Sequence, residues 1–155
     1  MLWITTTIQA QFVTNNGQLK VMGTQLVNQN NDPLVLRGMS FGWHCYHPRF
    51  YNQQAVKWLK NDWYCTVVRA ALGVEQSDNS YIKQPQEGKD MVKAVIEGAI
   101  KQDIYVIVDW HSHNINLKEA KEFFAEISKE YGKYPNIIYE VFNEPDYETW
   151  EEVKA

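Results

Sequence analysis

The sequence predicts an α/β fold in which parallel strands alternate with helices, as in a (β/α) barrel. Short apolar segments alternate with amphipathic helical segments along the chain, and the predicted strands are apolar on both faces. Strands of that kind are typical of a parallel sheet covered by helices. Polar side chains also follow the end of each predicted strand. The predicted strands are residues 37–41, 66–70, 104–108 and 137–142.

Length and composition limit the protein further. With 155 residues, of which 45% are hydrophobic, the chain has room for one domain with a substantial core. A complete eight-stranded barrel needs roughly 200–250 residues, so we expect about four of its eight βα units. A net charge of −4 and a pI near 5.5 argue against a nucleic-acid partner. No run of about 18 apolar residues is present, so we also expect no membrane partner.

Residues 1–16 precede the predicted domain, which covers residues 17–155. They are mildly apolar and contain no Lys or Arg. Two interpretations stay open: a remnant of a signal peptide, which would make the protein secreted, or a frayed chain end.

The elements of the predicted domain follow in order. Leu19–Met22 and Gln25–Val27 predict a β-hairpin before the first strand. Asn52 and Asn116 are predicted to cap helices at their N-termini, with Glu119 completing a capping box after Asn116. The helices are predicted at residues 52–62, at 86–101 and from 116 onward, with the first turns of a further helix at 147–153.

Two cysteines and two tryptophans carry structural predictions. Cys45 and Cys65 are placed at opposite ends of a strand, roughly 17 Å apart. Because a disulfide requires Cα atoms within about 7 Å, both are predicted to be free thiols. Trp58 and Trp63, on the first large helix, are predicted to belong to the core.

Polar side chains follow all four strands at the same end. The carboxyl ends of parallel strands meet at one edge of the sheet, so these side chains are expected to form a single site. The candidates are Trp43, His44, Tyr46 and His47 after the first strand, Arg69 in the second, Asp109, Trp110, His111 and His113 at the third, and Asn143, Glu144 and Pro145 after the fourth.

These residue types indicate glycoside hydrolysis. Cleavage of a sugar needs one carboxylic acid to protonate the leaving oxygen and a second carboxylate as nucleophile or base. Glu144 follows an apolar strand, where partial burial would raise its pKa, and Arg69 would lower the pKa of a neighbouring carboxylate. Asn143 and His111 can bond sugar hydroxyls. Flat faces for a pyranose ring are expected from Trp43, Tyr46 and Trp110. His44 and His113 are further candidates for substrate binding, and it stays open whether His44 or His47 faces the site.

Four segments together resemble glycoside hydrolase family 5, and most of all its bacterial endo-β-1,4-glucanase (cellulase) branch. The resemblance implies a (β/α)8 or TIM barrel, a retaining mechanism, a β-1,4-glucan substrate and no cofactor or metal. The segments are RGMSF (37–41), VVRAAL (67–72), VIVDWHSHN (106–114) and IIYEVFNEP (137–145).

The resemblance also implies roles for individual residues. Glu144 would be the general acid/base, Asn143 its sugar-binding neighbour, and Arg69 and His111 the residues that support the nucleophile. In this family the nucleophile is a second Glu at the end of the seventh strand, and no residue of this chain corresponds to it. The chain alone is therefore expected to be inactive, and its open sheet edges are expected to favour self-association.

Alternative interpretations remain for the site and for the function. Arg69 alternatively forms a structural ion pair with Asp109 or Glu140, and His111 is alternatively a core histidine. The histidine pairs His44/His47 and His111/His113 offer metal ligands, although we predict no metal there. The protein as a whole is alternatively a non-catalytic carbohydrate-binding half-barrel, or an enzyme of the same fold that acts on mannan or xylan.

Overall fold

A computed structural model describes residues 11–154, in which a four-stranded parallel sheet is layered against helices. The helices are α1 (Phe12–Asn16), α2 (Gln53–Asp62), α3 (Pro85–Gln102), α4 (Leu117–Tyr131) and α5 (Trp150–Lys154). The strands are β1 (Lys20–Met22), β2 (Gln25–Val27), β3 (Gly38–Trp43), β4 (Val67–Gly73), β5 (Tyr105–His111) and β6 (Ile137–Glu140).

The strands of the main sheet lie in sequence order, β3-β4-β5-β6, and every neighbouring pair is parallel. The first two strands, β1 and β2, form a separate antiparallel hairpin. Arg69 pairs with Ser40 on one side and Ile107 on the other, so its neighbours in β3 and β5 are set by the register. The predicted half of an α/β barrel is confirmed.

The large core lies between the sheet and helices α2, α3 and α4. Alternate residues of the two central strands, β4 and β5, point towards these helices and are apolar and buried. The pleat of a strand sends successive side chains to opposite faces, so the residues between them face the other side of the sheet. The strand residues of this core include Val68, Ala70, Leu72, Val106, Val108 and Trp110.

The opposite face of the sheet is covered at the amino ends of the strands. Val13 of α1 is buried there against Val67 and Tyr105. The hydroxyl of Tyr105 donates to the carbonyl of Gly17 at 2.6 Å. Residues 12–16 belong to the segment predicted to precede the domain. They form a helix that covers the amino ends of the strands on this face of the sheet. The prediction of a signal-peptide remnant otherwise falls on residues 1–10, outside the described residues.

Asn52 caps α2 as predicted, and its side chain accepts from the amide of Ala55. Three other local predictions are wrong: the cap at Asn116 and the core positions of Trp58 and Trp63. The side chain of Asn116 makes no capping hydrogen bond to α4. Asn116 has a φ of 41°, and its side chain donates to Glu75 instead. Trp58 and Trp63 are 51% and 55% exposed, so they are surface residues rather than core.

Two further findings concern the whole described part of the chain. Cys45 and Cys65 are both buried and both free, which confirms the prediction of unpaired thiols. Within residues 11–154, none of the helices has the length and apolar character needed to cross a membrane.

Candidate active site

Arg69 joins the carboxyl ends of three strands. Its guanidinium makes a bidentate pair with Glu140, from Nε at 2.8 Å and from Nη2 at 2.7 Å. Nη2 also lies 2.9 Å from Asp109 Oδ2 and donates to Asn143 Oδ1 at 2.8 Å. Two parallel bonds to one carboxylate fix the plane of the guanidinium. The alternative ion pair of Arg69 therefore exists, and it includes both Asp109 and Glu140. The same guanidinium also contacts Asn143.

Asp109 lies at the centre of the site and is fully buried. Its Oδ2 lies 2.7 Å from Nδ1 of His111, so one oxygen contacts both the imidazole and Arg69. Burial raises the pKa of Asp109 above its usual range, although the hydrogen bond from His111 and the charge of Arg69 oppose that shift. The bond to Glu140 is the main cause that raises the pKa of Arg69, which keeps the guanidinium charged.

Asn143 and Glu144 follow β6 and differ in burial. The amide of Asn143 donates to the carbonyl of Trp110 at 3.2 Å, which ties this segment to β5. The Nδ2 of Asn143 is buried and has no hydrogen-bond partner among the described residues. The side chain of Glu144 is 64% exposed, and its Oε2 lies 3.5 Å from Nε2 of His113. Our expectation that Glu144 is partly buried is therefore wrong within residues 11–154.

Two of the predicted aromatic platforms lie at the site. Trp43 is half-buried at the end of β3, and its ring stacks on Tyr46 with centroids 5.4 Å apart. The ring of Trp43 also contacts the ring of His111, with centroids 4.8 Å apart. Tyr46 is 53% exposed and donates to the carbonyl of Gln76 at 2.8 Å. These rings form an accessible aromatic surface beside the buried charges.

Trp110 and His44 do not line the site, contrary to prediction. Trp110 is fully buried on the helix side, with its ring 5.2 Å from Tyr81 and 5.6 Å from Phe123. His44 is 1% exposed and accepts from the amide of Gly73 at 3.0 Å. Burial lowers the pKa of His44 to about 4, which keeps the ring neutral at pH 7. His47, by contrast, is exposed.

Two residues at this end of the sheet were missed. Glu75 lies two residues after β4 and accepts from Asn114 and Asn116, both at 2.6 Å. Tyr51 lies behind the sheet end and donates to the carbonyl of Ala71 at 2.8 Å, and burial raises the pKa of its hydroxyl. Glu75 could have been found from the sequence. If the second predicted strand is extended to Gly73, Glu75 becomes another carboxylate that follows a strand end.

The site contains carboxylates and imidazoles but is not built as a metal centre. Across residues 11–154, no three His, Cys, Asp or Glu side chains are grouped so that they could hold a metal ion. What the arrangement offers is a fixed cation, an amide, an aromatic surface and the accessible carboxylates of Glu144 and Asp146. Such a set can bind a polyhydroxylated ligand and exchange a proton with it.

The chain is similar to known endoglucanases in sequence. The family model described as cellulase (glycosyl hydrolase family 5) matches residues 27–155. An endoglucanase of Clostridium saccharobutylicum is 39% identical over 92% of this chain and 33% of its own length. Endoglucanase A of Evansella cellulosilytica is 47% identical over 74% of this chain and 24% of its own length. The chain thus spans a quarter to a third of these relatives.

Solved structures agree with that result. A structure from Cytophaga hutchinsonii matches 92% of this chain and 50% of its own chain, with 44% identity and a TM-score of 0.86. The catalytic domain of the Thermobifida fusca endoglucanase Cel5A matches with 31% identity and a TM-score of 0.84, over 92% of this chain and 48% of its own. A variant of that endoglucanase has also been solved in complex with cellotetraose. On the family match and the shared sheet, the chain belongs to the cellulase family, glycosyl hydrolase family 5.

Proposed function

We propose that the protein acts as a retaining endo-β-1,4-glucanase in which Glu144 is the general acid/base. The observation that carries the proposal is the position of the Arg69 guanidinium, which bonds Glu140, Asp109 and Asn143 at once. It fixes Asn143, and thereby the backbone that leads directly to Glu144, at the carboxyl ends of the strands. In parallel α/β barrels this end carries the reaction.

In the proposed reaction, Glu144 first acts as an acid. Its carboxylic acid donates a proton to the glycosidic oxygen while a second carboxylate attacks the anomeric carbon, so that the bond to the leaving sugar breaks. Glu144, now a carboxylate, then takes a proton from water. That water attacks the anomeric carbon of the covalent intermediate and releases the nucleophile.

The nucleophile is proposed to be a residue other than those described. Glu140 and Asp109 are bound by Arg69, and Glu75 is bound by Asn114 and Asn116. Asp146 lies in the same exposed segment as Glu144. Both carboxylates are 3.5 Å from the imidazole of His113, Glu144 at Nε2 and Asp146 at Nδ1. We therefore expect the 155-residue chain alone to show no hydrolysis, since a retaining site needs two carboxyl groups about 5–5.5 Å apart.

The substrate is proposed to bind across the aromatic surface of Trp43 and Tyr46. Stacked rings offer apolar faces to the C–H face of a pyranose, and the unpartnered Nδ2 of Asn143 offers a donor to a hydroxyl. His113 lies at the exposed edge, where it can contact the same sugar. Because a glucan polymer cannot enter a cell intact, we propose that the protein is secreted.

The acid/base assignment is tested with Glu144→Gln in a protein that carries the complete barrel. The amide keeps the shape of the side chain but cannot transfer the proton. For phenyl cellobioside, a poor leaving group, we expect kcat/KM to fall by about 10²- to 10⁴-fold. For 2,4-dinitrophenyl cellobioside, glycosylation should suffer far less, because that leaving group needs little protonation. Equal losses on both substrates would contradict the assignment.

Substrate class is tested by release of reducing sugars from carboxymethyl cellulose, mannan and xylan. The proposal expects carboxymethyl cellulose to be the best substrate by initial rate. A higher rate on mannan or xylan would replace the glucanase proposal by the sister specificity.

A non-catalytic sugar-binding role is the second candidate, because the Trp43–Tyr46 surface is accessible while the carboxylates of Asp109 and Glu140 are bound by Arg69. We also propose that the isolated chain self-associates. Within the described residues 11–154, the outer strands β3 and β6 each pair on one side alone. An apolar groove of about 610 Å³ lies between α4, β6 and α5. Light scattering that shows a monomer would contradict self-association.

A further inference from the structure

Glu75 lies outside the residues assigned to the reaction, yet it bonds the whole segment between β5 and α4. Its Oε1 accepts from Nδ2 of Asn114 at 2.6 Å, and its Oε2 accepts from Nδ2 of Asn116 at 2.6 Å. Oγ of Ser112 lies 3.2 Å from the same Oε1. Hydrogen bonds accepted by a carboxylate are short and stronger than bonds between neutral groups. One carboxylate of the β4–α3 loop therefore holds three positions of the β5–α4 segment.

The β5–α4 segment, residues 112–116, is also ordered from within. Ser112 is fully buried, and its Oγ donates to the carbonyl of Asn114 at 2.7 Å and accepts from the Asn114 amide at 3.1 Å. Asn116 adopts the left-handed conformation, with a φ of 41°. A residue other than glycine in that conformation is held there by its surroundings. Its bond to Glu75 supplies such a restraint, instead of the helix cap that the sequence predicts.

His113 lies in the middle of this restrained segment. Its Nε2 lies 3.5 Å from Glu144 Oε2, and its Nδ1 lies 3.5 Å from Asp146 Oδ2. Both neighbours of His113 along the chain, Ser112 and Asn114, contact Glu75. We propose that Glu75 is a positioning residue, which holds the β5–α4 segment so that the His113 imidazole stays beside Glu144. This inference rests on the proposed function of Glu144 as the general acid/base.

The consequence for the reaction follows from the charge that Glu144 acquires. When Glu144 gives its proton to the glycosidic oxygen, it becomes a carboxylate. The imidazole of His113, whose Nε2 lies 3.5 Å from Glu144 Oε2, is close enough to stabilise the carboxylate that forms. A displaced His113 would therefore slow proton donation most, and substrates whose leaving groups need protonation would be the most affected. A role in folding alone would slow all substrates alike.

The kinetic test compares Glu75→Gln with Glu87→Gln in a protein that carries the complete barrel. Glu87 is the matched control, because it is exposed in the first turn of α3 and loses the same charge. We expect Glu75→Gln to lower kcat/KM for phenyl cellobioside about tenfold, and for 2,4-dinitrophenyl cellobioside less than about threefold. Glu87→Gln should change neither value. Equal losses on both substrates with Glu75→Gln would overturn the inference.

The failure of this inference is distinguishable from the failure of the proposed function. Glu144→Gln is measured on the same two substrates in parallel. If Glu144→Gln shows the leaving-group dependence and Glu75→Gln does not, the positioning role is wrong while the acid/base role stands. If Glu144→Gln itself lacks the dependence, the proposed function fails first.

A second measurement uses the 155-residue chain and does not depend on activity. We expect Glu75→Gln to speed hydrogen exchange at the Asn114 amide by about fivefold or more, with the Glu87→Gln control unchanged. A double-variant cycle is measured with phenyl cellobioside in the protein that carries the complete barrel. Asn114→Ala removes one of the bonds to Glu75 and should give a smaller loss of kcat/KM than Glu75→Gln. The double variant should lose less than the sum of the two, because both changes remove the same interaction. Unchanged exchange, or strictly additive losses, would overturn the inference.

Discussion

Two regions at the carboxyl ends of the strands hold their charges in different ways. The Arg69 network, formed by Arg69, Asp109, His111 and Glu140, is carried on the strands and has contacts of 2.7–2.9 Å. The Glu144 segment, residues 144–146, lies on the loop after β6, and its contacts with His113 are both 3.5 Å. Groups on paired strands are placed by the ladder of backbone hydrogen bonds. Groups on the loop depend on the side chains that approach them.

The comparison teaches which part of the site is complete within this half of the fold. Asp109 and Glu140 are register partners of β5 and β6, so pairing of the strands alone brings both carboxylates to Arg69. Glu144 has no such partner and is 64% exposed. The supporting network is therefore preorganised, whereas the proposed acid takes its surroundings from neighbouring loops, among them the segment bound by Glu75.

The largest decrease in the free energy of unfolding is expected when the Arg69 network is disrupted. Arg69→Ala leaves Asp109 fully buried without its cation, and removal of one partner of a buried pair is strongly destabilising. We expect the free energy of unfolding to fall by about 3 kcal/mol, measured by urea denaturation.

Lys118→Ala is the matched control for Arg69→Ala. Its ion pair with Glu122 is solvent-exposed and 3.9 Å long, so it should leave the urea midpoint unchanged. If both variants shift the midpoint equally, the network contributes no more than a surface pair and the comparison between the two regions fails.

Acid should affect the buried His44, which lies behind the strand ends, more than the exposed residues of the site. Burial lowers the pKa of His44 from 6.5 to about 4, so the folded state binds this proton less readily than the unfolded state does. The stability contributed by neutral His44 is fully present above pH 6.5 and is lost as the pH falls towards 4. The loss amounts to at most about 3 kcal/mol.

His44→Gln checks this acid sensitivity, since an amide oxygen can still accept from the Gly73 amide but does not titrate. We expect its unfolding free energy to fall less between pH 7 and pH 4.5 than that of the unmodified chain, by roughly 2 kcal/mol. His47→Gln, at an exposed position, should leave the pH dependence unchanged. An identical acid response in all three proteins would show that His44 is not the titrating group.

The smallest change in the free energy of unfolding is expected for the exposed Glu144 segment. Glu144→Gln should change the free energy of unfolding by no more than about 0.5 kcal/mol, because substitutions of exposed side chains away from caps and cores are nearly neutral. The same variant is expected to have a large kinetic effect in the complete barrel. A destabilisation comparable to that of Arg69→Ala would show that the Glu144 segment is as firmly held as the network.

Sequence reasoning predicted that the candidate residues lie together at one end of the sheet, and the structure places most of them there. Arg69, His111, Asn143 and Glu144 all lie at the carboxyl ends of their strands or directly after them, as predicted. The alternative interpretation, an ion pair of Arg69 with Asp109 or Glu140, is also found, with both carboxylates. The errors lie in the direction that side chains take: Trp110 and His44 were assigned to sugar binding and are buried instead.

The sequence by itself determined the order of strands and helices, the parallel sheet and the residue types at each strand end. Hydrophobic periodicity and local chemistry carry this information, because they depend on neighbours within a few residues. Only the tertiary structure decided which of Asp109, Trp110 and His111 face the site, since the pleat alternates and the packing of helices chooses the apolar face. Only the tertiary structure brings the carboxylate of Glu75 to the side chain of Asn114, which is 39 residues away along the chain. Such a contact depends on where two loops meet in space, which no local pattern encodes.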